Sequence, residues 1–233
     1  MRVTILQPSY LPWLGFFEQM SRSDKFVLLD DVQYTRRDWR NRNRIRVKEG
    51  WVWLTVPILQ KSRFSQSLLE TRIDNSVAWR KKHLETLRLH YCKSPFFEDY
   101  FPQCQKIYQK DWIFLFDLCL ETIRLVKEGM GIETPLLRSS ELKTSGEKTD
   151  RLISICQELD ATHYLSGEAG SNYISEEDFA NKGIGLEYQN YVHPVYPQRY
   201  PGFVSYLSAV DLLFNCGKQS LEILKQAEPI RCP

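Results

Sequence analysis

Arg2-Val-Thr-Ile-Leu-Gln7, Leu11 to Ser21 and Lys25-Phe-Val-Leu-Leu-Asp30 decide the fold. The first run is apolar, short and halted by Pro8, as expected of a buried strand. In the second, Leu14, Phe17 and Met20 recur at helical spacing. The third is again a continuous apolar run and ends in two acids. Strand, helix and strand in about 30 residues predict a β-α-β unit, whose two strands run parallel.

Working outward, Ile45 to Lys48 and Trp51 to Pro57 flank Glu49-Gly50, a hairpin signal. From Ser76 to Gly129 the pattern is helical: His83, Leu84, Leu87 and Tyr91 mark one face, Ser94-Pro95 interrupts, then Phe101 to Tyr108 and Trp112 to Lys127 resume. Gly129 and Gly131 are expected to stop the last of these helices. Thr134–Arg138, Thr162–Ser166 and Ile184–Gln189 read as strands; Ser145, Lys148 and Asp150 lead into a helix with Leu152, Ile153, Ile155, Cys156 and Leu159 apolar, and Leu207 to Lys225 reads as one closing helix. The expectation is a single α/β domain over 1–233, with a mostly parallel central sheet flanked by helices and a helical insertion at 76–130.

The 233 residues are 42% hydrophobic and 26% charged, which argues against wholesale disorder. No apolar run approaches the ~20 residues of a bilayer span, and Arg2 followed by a short apolar run does not read as a signal peptide. A cytoplasmic protein is expected. The six cysteines lack any C-x-x-C pair and read as reduced thiols. A net charge of only +2 argues against nucleic acid as partner.

Chemistry-bearing residues cluster where the strands end, the place at which ligands of open parallel sheets bind. Gln7, Tyr10, Trp13 and Gly15 follow the first strand, offering hydrogen bonds, flat rings and a close backbone approach; packing of this corner is the structural alternative. Six arginines stand at 36, 37, 40, 42, 44 and 46 beside Trp39 and Asn41. Arg36, Arg37 and Arg42 are candidate binders of phosphate or carboxylate through paired hydrogen bonds, against the alternative of a solvated charged face. Asp30 and Asp31 could act as base, hold a metal, or neutralise those arginines. Ser166, Gly167, Gly170 and Tyr173 form a glycine turn suited to an oxyanion. His83 and His90 are too far apart for a zinc pair, so no metal site is expected. His193, between prolines and tyrosines, is a candidate general acid or base near neutral pH, with a hydrogen-bonded structural histidine as the equal alternative.

Taken together, Q-P-S-Y-L-P-W-L-G-F-F (7–17), L-D-D-V-Q-Y-T-R-R-D-W-R-N-R-N (29–43), Trp79 with His83, Y-C-K-S-P (91–95), Y-L-S-G-E-A-G-S-N-Y (164–173), H-P-V-Y (193–196) and S-A-V-D-L-L-F-N-C-G (208–217) resemble the WbqC-like proteins, named from a bacterial O-antigen cluster. The resemblance implies surface-polysaccharide biosynthesis and supplies no catalytic residue. Its matched segments add His83, Lys93, Tyr196 and Asp211 to the candidate binding residues. The order of the N-terminal elements is also similar to nucleotidylyltransferases and pantothenate synthetase, but the histidines of their turn are missing between Tyr10 and Gly15.

The leading expectation is acyl or aminoacyl transfer to a nucleotide-linked amino sugar, a small phosphate-bearing substrate, with Asp31 or His193 as base and the Ser166–Gly170 turn steadying the oxyanion. Adenylyl or nucleotidyl transfer with ATP and Mg²⁺ at Asp30 or Asp31 is the second, and anion binding without catalysis the third. All three require these segments to meet in one hollow.

Overall fold

The computed structural model describes residues 1–35, 38–59 and 66–226. β1 (Arg2–Leu6), α1 (Leu14–Ser21) and β2 (Lys25–Leu28) form the expected unit, and β1 pairs in parallel with β2 from Val3↔Lys25 to Leu6↔Leu28. The helix begins at Leu14 rather than Leu11. Leu11 sits in the left-handed region at φ 48°, and the extended Trp13 precedes the first turn.

β3 (Arg42–Val47) and β4 (Gly50–Thr55) make the antiparallel hairpin. Strand alternation sets Arg42, Arg44 and Arg46 on one face, opposite Thr55, Trp53 and Trp51, and turns Ile45 and Leu54 into the core. The 76–130 segment carries α2 (Trp79–Tyr91), α3 (Phe97–Gln109) and α4 (Leu115–Met130). In α2 the buried residues are Trp79, His83, Leu87 and Tyr91, one every four positions, a single inward stripe. Gly129 lies inside α4, and Gly131 ends it in the left-handed conformation at φ 72°.

β5 (Leu136–Arg138), α5 (Lys148–Glu158), β6 (His163–Ser166), α6 (Glu176–Asn181) and β7 (Gly185–Tyr188) complete the α/β part. The sheet is wholly parallel in the order β5-β2-β1-β6-β7. After β5 at one edge the chain crosses back to the far side of β1, so the winding reverses between β1 and β6. Such a switch point leaves a crevice at the carboxyl ends of the two strands. One apolar cluster joins Val3, Ile5 and Val27 to α5 and Phe179 of α6. A larger one joins Phe26 and Leu28 to α1, the three middle helices and the C-terminal helices. The sheet is thus buried on both faces, as parallel sheets are.

The pattern expected as one closing helix is two: α7 (Val210–Cys216) and α8 (Ser220–Lys225). Gly217 breaks it at φ 56° and ψ −130°, a conformation for glycine, with a Cβ there only 2.4 Å from the Phe96 ring. No described helix is long and apolar enough to cross a membrane.

Candidate functional site

The crevice between β1 and β6 opens into a hollow of about 490 Å³. Leu6, Gln7 and Ser9 enter it from the end of β1, and Gly167, Glu168 and Ala169 from the end of β6. Trp13, Phe16 and Gln19 line it from α1 and the turn before it, Trp39, Arg40 and Arg44 from the hairpin region, and Gln189, Tyr191 and Tyr206 from the C-terminal loops.

Trp13 is held by three neighbours. Its ring meets Tyr191 edge-on at 5.6 Å and lies 5.9 Å from Tyr206. It folds back over Gly15, where a Cβ would come within 2.2 Å of the indole. Gly15 therefore serves the Trp13 ring, by absence of bulk rather than by an unusual backbone angle.

The cationic wall is built by the hairpin. Arg44 lies over Trp39, Trp51 and Trp53, at 5.3, 4.9 and 5.8 Å, and donates to the Tyr206 carbonyl at 3.0 Å. Arg42 covers Trp53 at 4.5 Å. Burial draws the Arg40 guanidinium below its ordinary pKa, opposed by Asp38 at 3.6 Å. Partial burial does the same to Arg44. A guanidinium stacked on indoles and partly desolvated interacts more strongly with an arriving anion than one in free solvent. Arg46 is spent structurally, donating to the carbonyls of Val47, Gly50, Pro201 and Gly202.

The floor is a polar chain. Gln189 Nε2 donates to the Gly15 carbonyl at 2.9 Å and to the Glu18 carboxylate, and Gln19 Nε2 donates to Gln189 Oε1 at 2.6 Å. The other Glu18 oxygen accepts from Arg22 at 3.0 Å. Gln19 and Gln189 stand 170 residues apart, so no local sequence signal pairs them.

The structure places the other sequence candidates as follows. Gln7, Trp13, Trp39 and Gly167 line the hollow. Tyr173 is exposed and near enough to Arg40 to act on its charge. Ser166 is buried beneath Gly170, where a Cβ would lie 2.1 Å from its hydroxyl. Tyr10 is fully buried, its hydroxyl bonded to His83 Nδ1 at 2.9 Å and to the Tyr108 hydroxyl; burial lowers the His83 pKa to about 4, a neutral core imidazole. Asn41 donates to the Val56 carbonyl at 2.7 Å, and Lys93 is exposed beyond α2. Asp211 is buried with Tyr91 and Tyr196. Arg36 and Arg37 lie outside the described residues.

Two proposed bases stand off the hollow's lining. Asp31 accepts from Ser139 Oγ and Arg151, both at 2.6 Å, while Asp30 is buried and accepts from Arg138, Ser139 and Ser140. Each carboxylate is thus paired with an arginine, Asp30 with Arg138 and Asp31 with Arg151; no group of three or more potential metal-ligating acids, thiols or imidazoles occurs among the described residues. His193 meets Tyr191 edge-on at 6.3 Å and Tyr206 edge-on at 5.3 Å, and stacks on Tyr196 at 6.2 Å. Its Nδ1–H donates to the Pro194 carbonyl at 2.9 Å, and burial lowers its pKa against that bond. Sequence reasoning passed over Glu168 and the Gln19–Gln189 pair. Glu168 carried a usable signal, as the first acid after the glycine that closes β6.

Among known proteins, the WbqC-like protein family is matched over residues 7–223. An uncharacterised protein of Mycobacterium tuberculosis, Rv1507c, is similar at 35% identity over 226 residues, 96% of this chain and 97% of its own. No solved structure matches, so the likeness to nucleotidylyltransferases gains no support.

Proposed function

The chain belongs to the WbqC-like protein family, and on that footing we propose that it is a cytoplasmic enzyme of bacterial surface-polysaccharide biosynthesis of the O-antigen kind, transferring an acyl or aminoacyl group to a nucleotide-linked amino sugar. One observation carries the reading: two guanidinium groups, two indoles and a carboxylate converge in one hollow at the switch point of the sheet. Arg40 and Arg44 hold the diphosphate, as paired donors do. Trp13 and Trp39 offer their faces to the base or the sugar. Glu168, on the same lining, takes the role of base in place of Asp31 and His193.

In the transfer step the amine nitrogen attacks the carbonyl carbon of an activated acyl donor. The N–C bond forms, the bond to the leaving group breaks, and the amine's proton passes to Glu168 and on to the leaving group. General-base assistance of this kind is worth roughly 10²–10⁴-fold. Incubation with nucleoside-diphosphate amino sugars and acyl donors, followed by mass spectrometry, will show the sugar heavier by one acyl group. Glu168→Gln will slow turnover by about 10²-fold or more with KM little changed. A panel giving neither a mass shift nor measurable binding of any nucleoside diphosphate sugar refutes the reading.

A further inference from the structure

The orientation of the amides on the floor of the hollow follows from donor and acceptor chemistry. The Gly15 carbonyl and the Glu18 carboxylate can only accept, so the atom of Gln189 that meets both is its NH₂. Gln189 Oε1 is then an acceptor, and the atom that Gln19 presents to it must be a donor, its Nε2. Gln19 Oε1 is left over. It is buried in a residue only 3% exposed and has no hydrogen-bond partner among the described residues. Gln7, another residue of the same lining, likewise has a buried Oε1 with no hydrogen-bond partner among the described residues.

A buried acceptor without a donor destabilises the protein, and both of these belong to residues of one lining that also carries Arg40 and Arg44. The chain Glu18–Gln189–Gln19 also has a direction. Each amide donates toward the carboxylate, and polarisation along such a chain strengthens the acceptor at its free end. Arg22 on the far oxygen of Glu18 offsets this in part. The free end suits a strong N–H donor.

We infer that Gln19 Oε1 is the seat of the substrate's amino group, with Gln7 Oε1 taking a neighbouring hydroxyl, so that the hollow reads its ligand with opposite polarity at its two walls: acceptors for the amine, guanidiniums for the phosphates. This rests on the proposed transfer reaction and names the group that reaction acts on. An amine whose N–H points to Gln19 keeps its lone pair free for the acyl carbon. The arrangement selects against sugars that lack a donor at that carbon, since they leave the oxygen unpaired, and sites that hydrogen-bond a substrate group discriminate strongly on this basis.

The test is calorimetric titration of the full chain with UDP-hexoses bearing an amino group at carbon 2, 3 or 4, each against its fluoro analogue, and the same comparison with the hexose 1-phosphates. At one carbon the amino sugar will bind at least tenfold more tightly than the fluoro sugar, in either series. Gln19→Met will reduce that preference to about threefold or less, read as the ratio of amino to fluoro sugar binding within the variant. Tight binding with no amino preference at any carbon overturns the inference and leaves the transferase reading standing. An amino preference among the hexose 1-phosphates, with no UDP-hexose bound, supports the inference and removes the nucleotide from the reading. Binding in neither series overturns both. The wild-type comparison decides the matter even if Gln19→Met fails to fold.

Discussion

Asp211→Ala will destabilise the protein by about 3–5 kcal/mol, as loss of the shared acceptor of several buried hydrogen bonds does. The Asp211 carboxylate is fully buried at the start of α7 and accepts from the Tyr91 hydroxyl at 2.7 Å, the Tyr196 hydroxyl at 2.8 Å and Gln198 Nε2 at 3.0 Å. Tyr91 in turn accepts the backbone N–H of Arg46 at 2.9 Å. One carboxylate thus ties the middle helices, the hairpin and the C-terminal loop to α7. Alanine leaves three donors without an acceptor, each worth about 1–3 kcal/mol when buried and unsatisfied, and relaxation recovers part of the sum. Urea unfolding will show the loss as a lower midpoint at unchanged slope. A loss under 1 kcal/mol would mean that the network is not closed as described.

The same group confers a pH dependence. Burial raises the Asp211 pKa to about 6, against the opposing hydrogen bonds from Tyr91, Tyr196 and Gln198. The unfolded value is about 3.9. Between about pH 4 and pH 6 the folded chain holds a proton that the unfolded chain has released. This contribution is therefore present below pH 4, falls as pH rises through that window, and is flat above it, with a span of order 2–3 kcal/mol. Comparing wild type with Asp211→Asn isolates it from other carboxylates, because the asparagine variant lacks this component. Equal slopes in the two proteins would contradict the raised pKa.

Gly15→Ala will move Trp13 out of the wall of the hollow and destabilise the fold by about 1–3 kcal/mol, as overpacking does. The new methyl would lie 2.2 Å from the indole, a separation that no packing accommodates. Tyr191 and Tyr206 back the ring on its other sides. The ring must leave, and the hollow loses a stacking face, so nucleoside diphosphate binding will weaken at least tenfold. A double-mutant cycle checks the cause. With Trp13→Ala already in place, Gly15→Ala will cost far less than it does alone, a coupling of 1 kcal/mol or more expected for residues in contact. Strict additivity would place the damage elsewhere in α1.

The two outcomes differ in how visible their residues were beforehand. Trp13 and Gly15 were legible because they follow a run that can only be a strand and precede helical spacing; chain connectivity brings them to the sheet's carboxyl edge. Gln7 and Gly167 were legible as strand-end residues on the same ground, and Trp39 only as an aromatic amid the arginines. Tyr10 was not, since a tyrosine in a turn is equally fit to face solvent or core, and its partners His83 and Tyr108 lie 73 and 98 residues away. The arginine cluster was visible as a cluster, but its division was not. The backbone carbonyls it meets assign Arg46 to structure, while Arg40 and Arg44 reach the hollow. Asp31 looked like a base because it ends a strand, and only the packing of Ser139 and Arg151 against it shows where its charge is spent.

By itself the sequence determined the periodicities, and through them the parallel β-α-β start, the hairpin, the three middle helices and the edge of the sheet at which polar residues gather. Those are local properties, set by spacings of two and about four residues. Tertiary structure decided the strand order with its reversal between β1 and β6, the break of the last helix at Gly217 against Phe96, and the amide chain of Gln189 and Gln19. Each of these depends on which distant groups share a buried volume. Desolvation forces every donor and acceptor there to find a partner, and no local spacing records which partner it finds.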